Sequence, residues 1–216
     1  SHASESAVTE FAYSGNTQVM STSYLWADEQ WEGNDRTENI YNDANRQITV
    51  ARYSWNPAYS FWTPTASTTY TYDELFRVPE QITYAIDNTT FRLTARTRTT
   101  QAWDSNKNLI LKEYLTGGIT NNEWQGGAGS TKNIYAFQLY GTANKKILDE
   151  AYTWNTSTNT WVGKTGGKTI WDYTADGAKE TTKVIFNWNT TALRYDSASA
   201  TCKEYDSSLR EIASFA

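Results

Sequence analysis

The sequence predicts an all-β chain: an antiparallel meander of about a dozen strands, built from seven β-hairpin units of roughly thirty residues and forming a curved sheet or an incompletely closed barrel. Three observations carry this reading. Aromatic residues make up 15% of the 216 positions, with 10 Trp and 15 Tyr, while all hydrophobic types together reach 38%. Apolar area carried by amphipathic rings suits sheets with partly wet faces better than a thick aliphatic core. A strand ending in aromatic-x-Trp returns at a spacing near thirty residues, and no segment keeps a helical period. Large apolar residues also bracket short polar loops, as a cross-strand pair closing a hairpin does.

The repeating unit is clearest at Tyr41 (IYNDANRQITVARYSWN), Tyr140 (LYGTANKKILDEAYTWN) and Tyr173 (DYTADGAKETTKVIFNWN). Tyr41 to Trp55 and Tyr140 to Trp154 each span 14 residues, and Tyr173 to Trp188 spans 15. Tyr13 leads to Trp26, Tyr72 leads to Ile86, Trp103 opens WDSNKNLILKEYL, and Tyr205 opens the shorter YDSSLREIASF. Anchors at 13, 41, 72, 103, 140, 173 and 205 are thus separated by 28, 31, 31, 37, 33 and 32 residues, which predicts one repeat domain over 1–216. After each anchor comes a turn rich in Asn, Asp or Gly, the residue types that accept left-handed backbone. A strand such as RQITVARYSW follows, then a second polar loop and a returning strand.

The second loops carry the aromatic clamps. Trp26 and Trp31 flank ADEQ, Trp55 and Trp62 flank NPAYSF, and Ile86 and Phe91 flank DNTT. Trp154 and Trp161 flank NTSTNT, and Trp188 and Tyr195 flank NTTALR. Alternation places Tyr53 with Trp55, Tyr152 with Trp154, and Phe186 with Trp188 on one face, where successive units would stack them into a ladder. The longest interval holds an insertion, GGITNNEWQGGAG at 117–129, with Trp124 in its middle. A long loop on a regular scaffold is a frequent place for function. Trp124, Trp55, Trp154, Trp188, Tyr53 and Tyr152 are therefore the candidate ligand-binding residues.

The pattern aromatic-Tyr-Asp, then Asn or Gly, a basic residue and a hydrophobic strand ending in Tyr-x-Trp-Asn resembles small secreted tandem-repeat proteins of gut anaerobic bacteria. More distantly it is similar to the tyrosine–aspartate repeats of bacterial toxin shells. Tyr72–Asp73 and Tyr205–Asp206 keep the Tyr-Asp pair, whereas Asn, Gly and Thr follow Tyr41, Tyr140 and Tyr173. The turn Gly is present at Gly177 alone among the three best copies. The resemblance implies an exported bacterial β-repeat protein and carries over no catalytic or ligand residue.

Chemistry-bearing groups are sparse. The single histidine is His2, beside the N-terminus, so neither a Ser-His-Asp triad nor a His-ligated metal has its imidazole within the fold. The single cysteine, Cys202, is expected to face inward on a strand as a small hydrophobe. A glycosidase needs only two carboxyl groups about 5–10 Å apart. Asp28, Glu29, Glu113, Glu123, Asp149 and Glu150 are candidate acids, and nothing in the sequence pairs them. Sequons at Asn88, Asn155 and Asn189 are the matches that chance produces in a chain rich in Asn and Thr. No catalytic residue, metal or cofactor is expected.

With 19 basic and 24 acidic residues the net charge is -5, which gives no footprint for nucleic acid or an anionic membrane. No apolar run reaches the roughly 18–20 residues of a bilayer span, and no signal-peptide core is present, so an exported chain would have lost it. The expected product is a non-catalytic exported binding or scaffold module, secreted, periplasmic or at the cell surface. Its expected partner is a glycan taken on exposed aromatics, or a cell-surface protein. A monomer is expected, because the irregular first and shortened last units read as caps on the sheet edges.

Overall fold

The computed structural model describes residues 7–87, 89–90 and 92–215. His2, Asn88 and Phe91, named above, lie outside them. All regular structure among the described residues is β. The strands are β1 (Ala7–Ser14), β2 (Thr17–Ala27), β3 (Gln30–Tyr41), β4 (Gln47–Asn56), β5 (Phe61–Thr71), β6 (Glu80–Asp87), β7 (Arg92–Trp103) and β8 (Leu109–Leu115). They continue with β9 (Ile119–Thr120), β10 (Glu123–Trp124), β11 (Thr131–Tyr140), β12 (Ala143–Asn155), β13 (Thr160–Tyr173), β14 (Glu180–Asn189), β15 (Arg194–Tyr205) and β16 (Glu211–Phe215). Fourteen strands lie in one antiparallel meander in chain order, β1 to β8 and then β11 to β16, while β9 and β10 form a separate ribbon. Because β1 and β16 end that order, the sheet does not close into a barrel. The chain divides into two compact units, Ser1–Arg98 and Thr99–Ala216, and the division falls inside β7.

In the first unit Tyr13 and Tyr41 lie at irregularities of the ladder near the ends of β1 and β3. The register shifts at Ala12/Tyr13 and at Ile40/Tyr41, so that Tyr13 faces Gln18 and Tyr41 faces Gln47. Tyr41 and Tyr72 each reach back one hairpin. Tyr41 donates its hydroxyl to the Gln18 carbonyl at 3.2 Å, and Tyr72 donates to the Gln47 carbonyl at 2.9 Å. A bulge leaves a carbonyl out of the ladder, and the phenol of the next unit satisfies it. The turns after Tyr41 and Tyr72 are built alike. Asn42 and Asp73 each accept, on Oδ1, the backbone N–H groups two and four residues on. Asn45 and Phe76 hold the left-handed position, with φ of 55° and 60°.

The second unit follows the same rules. Tyr173 donates to the Lys146 carbonyl at 3.1 Å and Tyr205 to the Glu180 carbonyl at 3.0 Å. Asp104 and Asp206 each accept the N–H groups two and four residues on, with Lys107 and Leu209 left-handed. Thr174 closes a turn one residue longer with Gly177 at φ 70°. One hairpin differs. In β11–β12 the bulge lies at Ala136/Phe137, so Phe137 faces Lys146 and Tyr140 sits three residues nearer the turn. There Tyr140 donates to Asp172 at 2.7 Å and sets its ring edge-on against Tyr173, centroids 5.5 Å apart.

Neither unit has a thick core. Leu115 is the one apolar side chain among the described residues that is buried. In β6 every residue is half-buried, on both faces. Large amphipathic side chains shield one another sideways along the sheet, as the composition predicts. Cys202 departs from expectation: it lies in β15 but is exposed. It pairs with Thr182 on one side and with Phe215 of the edge strand on the other, and an edge strand gives its neighbour little cover.

Candidate ligand-binding site

All six aromatics singled out by the sequence are half-buried. Trp55 lies directly opposite Trp62 and Trp154 opposite Trp161, each pair edge-on with centroids 5.2 Å apart. Trp188 faces Tyr195 in the same way at 5.1 Å. These are hairpin clamps, a geometry worth about 0.5–1.5 kcal/mol beyond area burial. Each clamp also rests on a glycine of the segment before it. A Cβ on Gly33 would meet the Trp55 and Trp62 rings at 2.9 Å, and one on Gly126 or Gly163 would collide with Trp154 or with Trp188 and Tyr195. The indole N–H groups of Trp154 and Trp188 are buried and find no acceptor among the described residues. A ligand has no access to them.

Tyr53 and Tyr152 belong to polar networks under the clamps. Tyr53 donates to Glu38 at 3.0 Å, and Glu38 pairs with Arg36. Tyr152 donates to Glu150 at 2.9 Å, and Glu150 pairs with Lys168 at 2.7 Å. The Tyr152 ring touches Trp188 and Tyr195, at 6.1 and 5.8 Å. Burial, followed by the bond to Glu150, pushes the Tyr152 phenol far above its usual range. Trp124 stands in the β9–β10 ribbon opposite Ile119, across a turn in which Asn121 and Asn122 are both left-handed. The insertion that carries it is tied down by Ser130. The fully buried Ser130 hydroxyl accepts from the N–H groups of Thr116 and Gly127 at 3.0 and 2.9 Å. The insertion places Gly126 against the Trp154 ring.

The most open aromatics lie elsewhere. Tyr59 is 74% exposed, and its ring lies 6.0 Å from that of the exposed Phe61 at a shallow 37°. Both line a cleft of 520 Å³ at the end of hairpin β4–β5, together with Asn56, Thr63 and Pro64. The Thr63 hydroxyl has no hydrogen-bond partner among the described residues. The lining is uncharged. Trp26 and Trp31, the clamp of β2–β3, are also exposed. Tyr59 and Phe61 lie in plain sight within NPAYSF. Their sequence signal is that they are aromatic without belonging to the clamp, whereas the Trp periodicity marks the clamp itself.

The acids that a hydrolase would need are dispersed or engaged. Asp28 and Glu29 form the left-handed turn of β2–β3. Glu113 pairs with Lys132 at 3.9 Å, Asp149 with Lys146 at 2.7 Å and Glu150 with Lys168. Among the described residues no cluster of three or more His, Cys, Asp or Glu side chains is placed to hold a metal.

No family model matches the chain, and no curated protein matches it. Among solved structures it is similar to a DUF3836 family protein from Bacteroides vulgatus, with 13% identity and a TM-score of 0.35 over 42% of this chain and 91% of that one. A second DUF3836 family protein, from Parabacteroides distasonis, has 16% identity and a TM-score of 0.30 over 51% of this chain and 89% of that one. A protein of unknown function from Bacteroides fragilis has 13% identity and a TM-score of 0.38 over 76% of this chain and 91% of that one.

Proposed function

We propose that the chain is a non-catalytic, exported tandem-hairpin module that binds neutral glycan on the open aromatics at its hairpin ends. The observation that carries this reading is the Tyr59–Phe61 pair lining an uncharged cleft, with the Asn56 amide as polar partner. A sugar ring lays its apolar C–H face on an aromatic ring, and its hydroxyls seek amides and hydroxyls. The clamps supply the rigid support, so that ligand binding need not order the loop first. The engaged state of Glu113, Asp149 and Glu150 favours binding without turnover.

The test is titration of the purified protein with neutral oligosaccharides, beside Tyr59→Ala and Trp124→Ala. Saturable binding with a site that Tyr59→Ala weakens at least tenfold and Trp124→Ala leaves unchanged is the expected result. No saturable binding by any neutral glycan would sink the reading, and release of reducing ends would replace the module with an enzyme. The alternative, a protein-interaction module, is favoured by edge strand β1, where Val8, Phe11 and Tyr13 are exposed. A concentration-dependent dimer in solution would support that reading.

A further inference from the structure

The second unit has a cleft at the corresponding place. In β4–β5 the lining residues Asn56, Phe61 and Thr63 are the one after the first clamp Trp and the two that flank the second. In β12–β13 those three positions are Asn155, Thr160 and Val162, and they line a cleft of 290 Å³. The neighbouring hairpin β14–β15 completes it with Trp188 and with Leu193, which is 70% exposed at the loop tip. The Asn155 carboxamide oxygen is occupied by the Ser157 and Thr158 N–H groups, which leaves its amide hydrogens to donate. This lining too is uncharged.

We propose that this cleft is a second neutral-saccharide subsite, so that each chain is bivalent, with one subsite in each unit. The inference rests on the glycan reading above. The smaller volume fits a terminal sugar residue, whereas the 520 Å³ cleft of the first unit takes a longer stretch. Two weak subsites on one chain raise the avidity for a repetitive glycan without any new contact. With no charge in either lining, binding is insensitive to salt.

Isothermal titration of the whole chain with cellotriose, maltotriose, xylotriose and mannotriose tests this. The expected stoichiometry is two for the chain, and one for Tyr59→Ala. It is also one for Leu193→Asp, which accepts the left-handed backbone at that position (φ 52°). Thr190→Arg, which fills the second cleft from an exposed loop position, serves as an independent variant and is also expected to leave one site. A stoichiometry of one that Tyr59→Ala abolishes and that neither Leu193→Asp nor Thr190→Arg affects would overturn the second subsite and leave the first standing. Absence of heat with every trisaccharide would overturn both.

Discussion

At the scale of single residues, the two groups that matter most are a side chain of one hydrogen and a hydroxyl. Gly126 and Gly163 let the Trp154 and Trp188 rings lie against backbone, and a methyl group at either place has nowhere to go. Gly126→Ala and Gly163→Ala are expected to destabilise by about 1–3 kcal/mol, the range of overpacking in a closed site. Gly33→Ala, where the clash is a marginal 2.9 Å against rings that can tilt, is expected to cost less. Urea midpoints of the three variants check the order. The anchor tyrosines act through their oxygen. Tyr72→Phe keeps the ring and strips the Gln47 carbonyl of its donor, so a loss of about 0.5–1.5 kcal/mol is expected. An unchanged midpoint would mean that water replaces the phenol at no cost.

At the scale of the hairpin, closure is local chemistry: Asx-type turns follow Tyr41, Tyr72, Trp103 and Tyr205, and aromatic clamps bracket the loops after Trp26, Trp55, Trp154 and Trp188. The turn forces one residue to φ > 0, and most units do not put glycine there. Lys107 sits at φ 68° and is exposed, whereas Gly177 occupies the same place at φ 70° with Tyr140 Cβ only 2.9 Å from its missing methyl. Left-handed backbone costs a side-chain-bearing residue about 1–2 kcal/mol, and glycine gives back part of that in entropy. Lys107→Gly is therefore expected to raise the melting temperature and Gly177→Ala to lower it. Equal and opposite shifts would assign the effect to backbone strain alone, and a larger loss at Gly177 would add the clash. Clamps and turns were legible in the sequence because both ends of each interaction lie within one hairpin. The reach of Tyr41, Tyr72, Tyr173 and Tyr205 was not, since each acceptor is a backbone carbonyl 23 to 27 residues away that carries no residue identity. Gly126 was visible as part of a Gly-rich run, but its partner Trp154 lies in the next hairpin. The Tyr59–Phe61 cleft stayed hidden because side-chain exposure on a sheet half-buried on both faces does not follow alternation.

At the scale of the whole chain, stability is spread over many half-buried polar contacts, and these titrate. Asp87 is held below the usual carboxylate range by the N–H groups of Thr90 and Thr89, and Asp104 by the Asn108 side chain and backbone. A carboxyl whose pKa is depressed on folding contributes stability above its unfolded value, near 4, and loses it as the pH falls through the folded value. The phenols run the other way. Tyr152, Tyr53, Tyr173 and Tyr195 are all raised, in each case by burial first, with Glu150, Glu38 and Glu180 adding to it at the first three. Between the unfolded phenol value, about 10, and the folded values, the native state holds more protons than the unfolded chain, so stability falls as the pH rises. The melting temperature is expected to stay level from about pH 5 to 9, fall below about pH 4, and fall again above about pH 10. Near-ultraviolet absorbance should show these raised phenols ionising only as the far-ultraviolet signal of the strands is lost. Ionisation of all phenols in one early step, with the strands intact, would mean that the Tyr152–Glu150 and Tyr53–Glu38 contacts are open to solvent and contribute nothing to the fold.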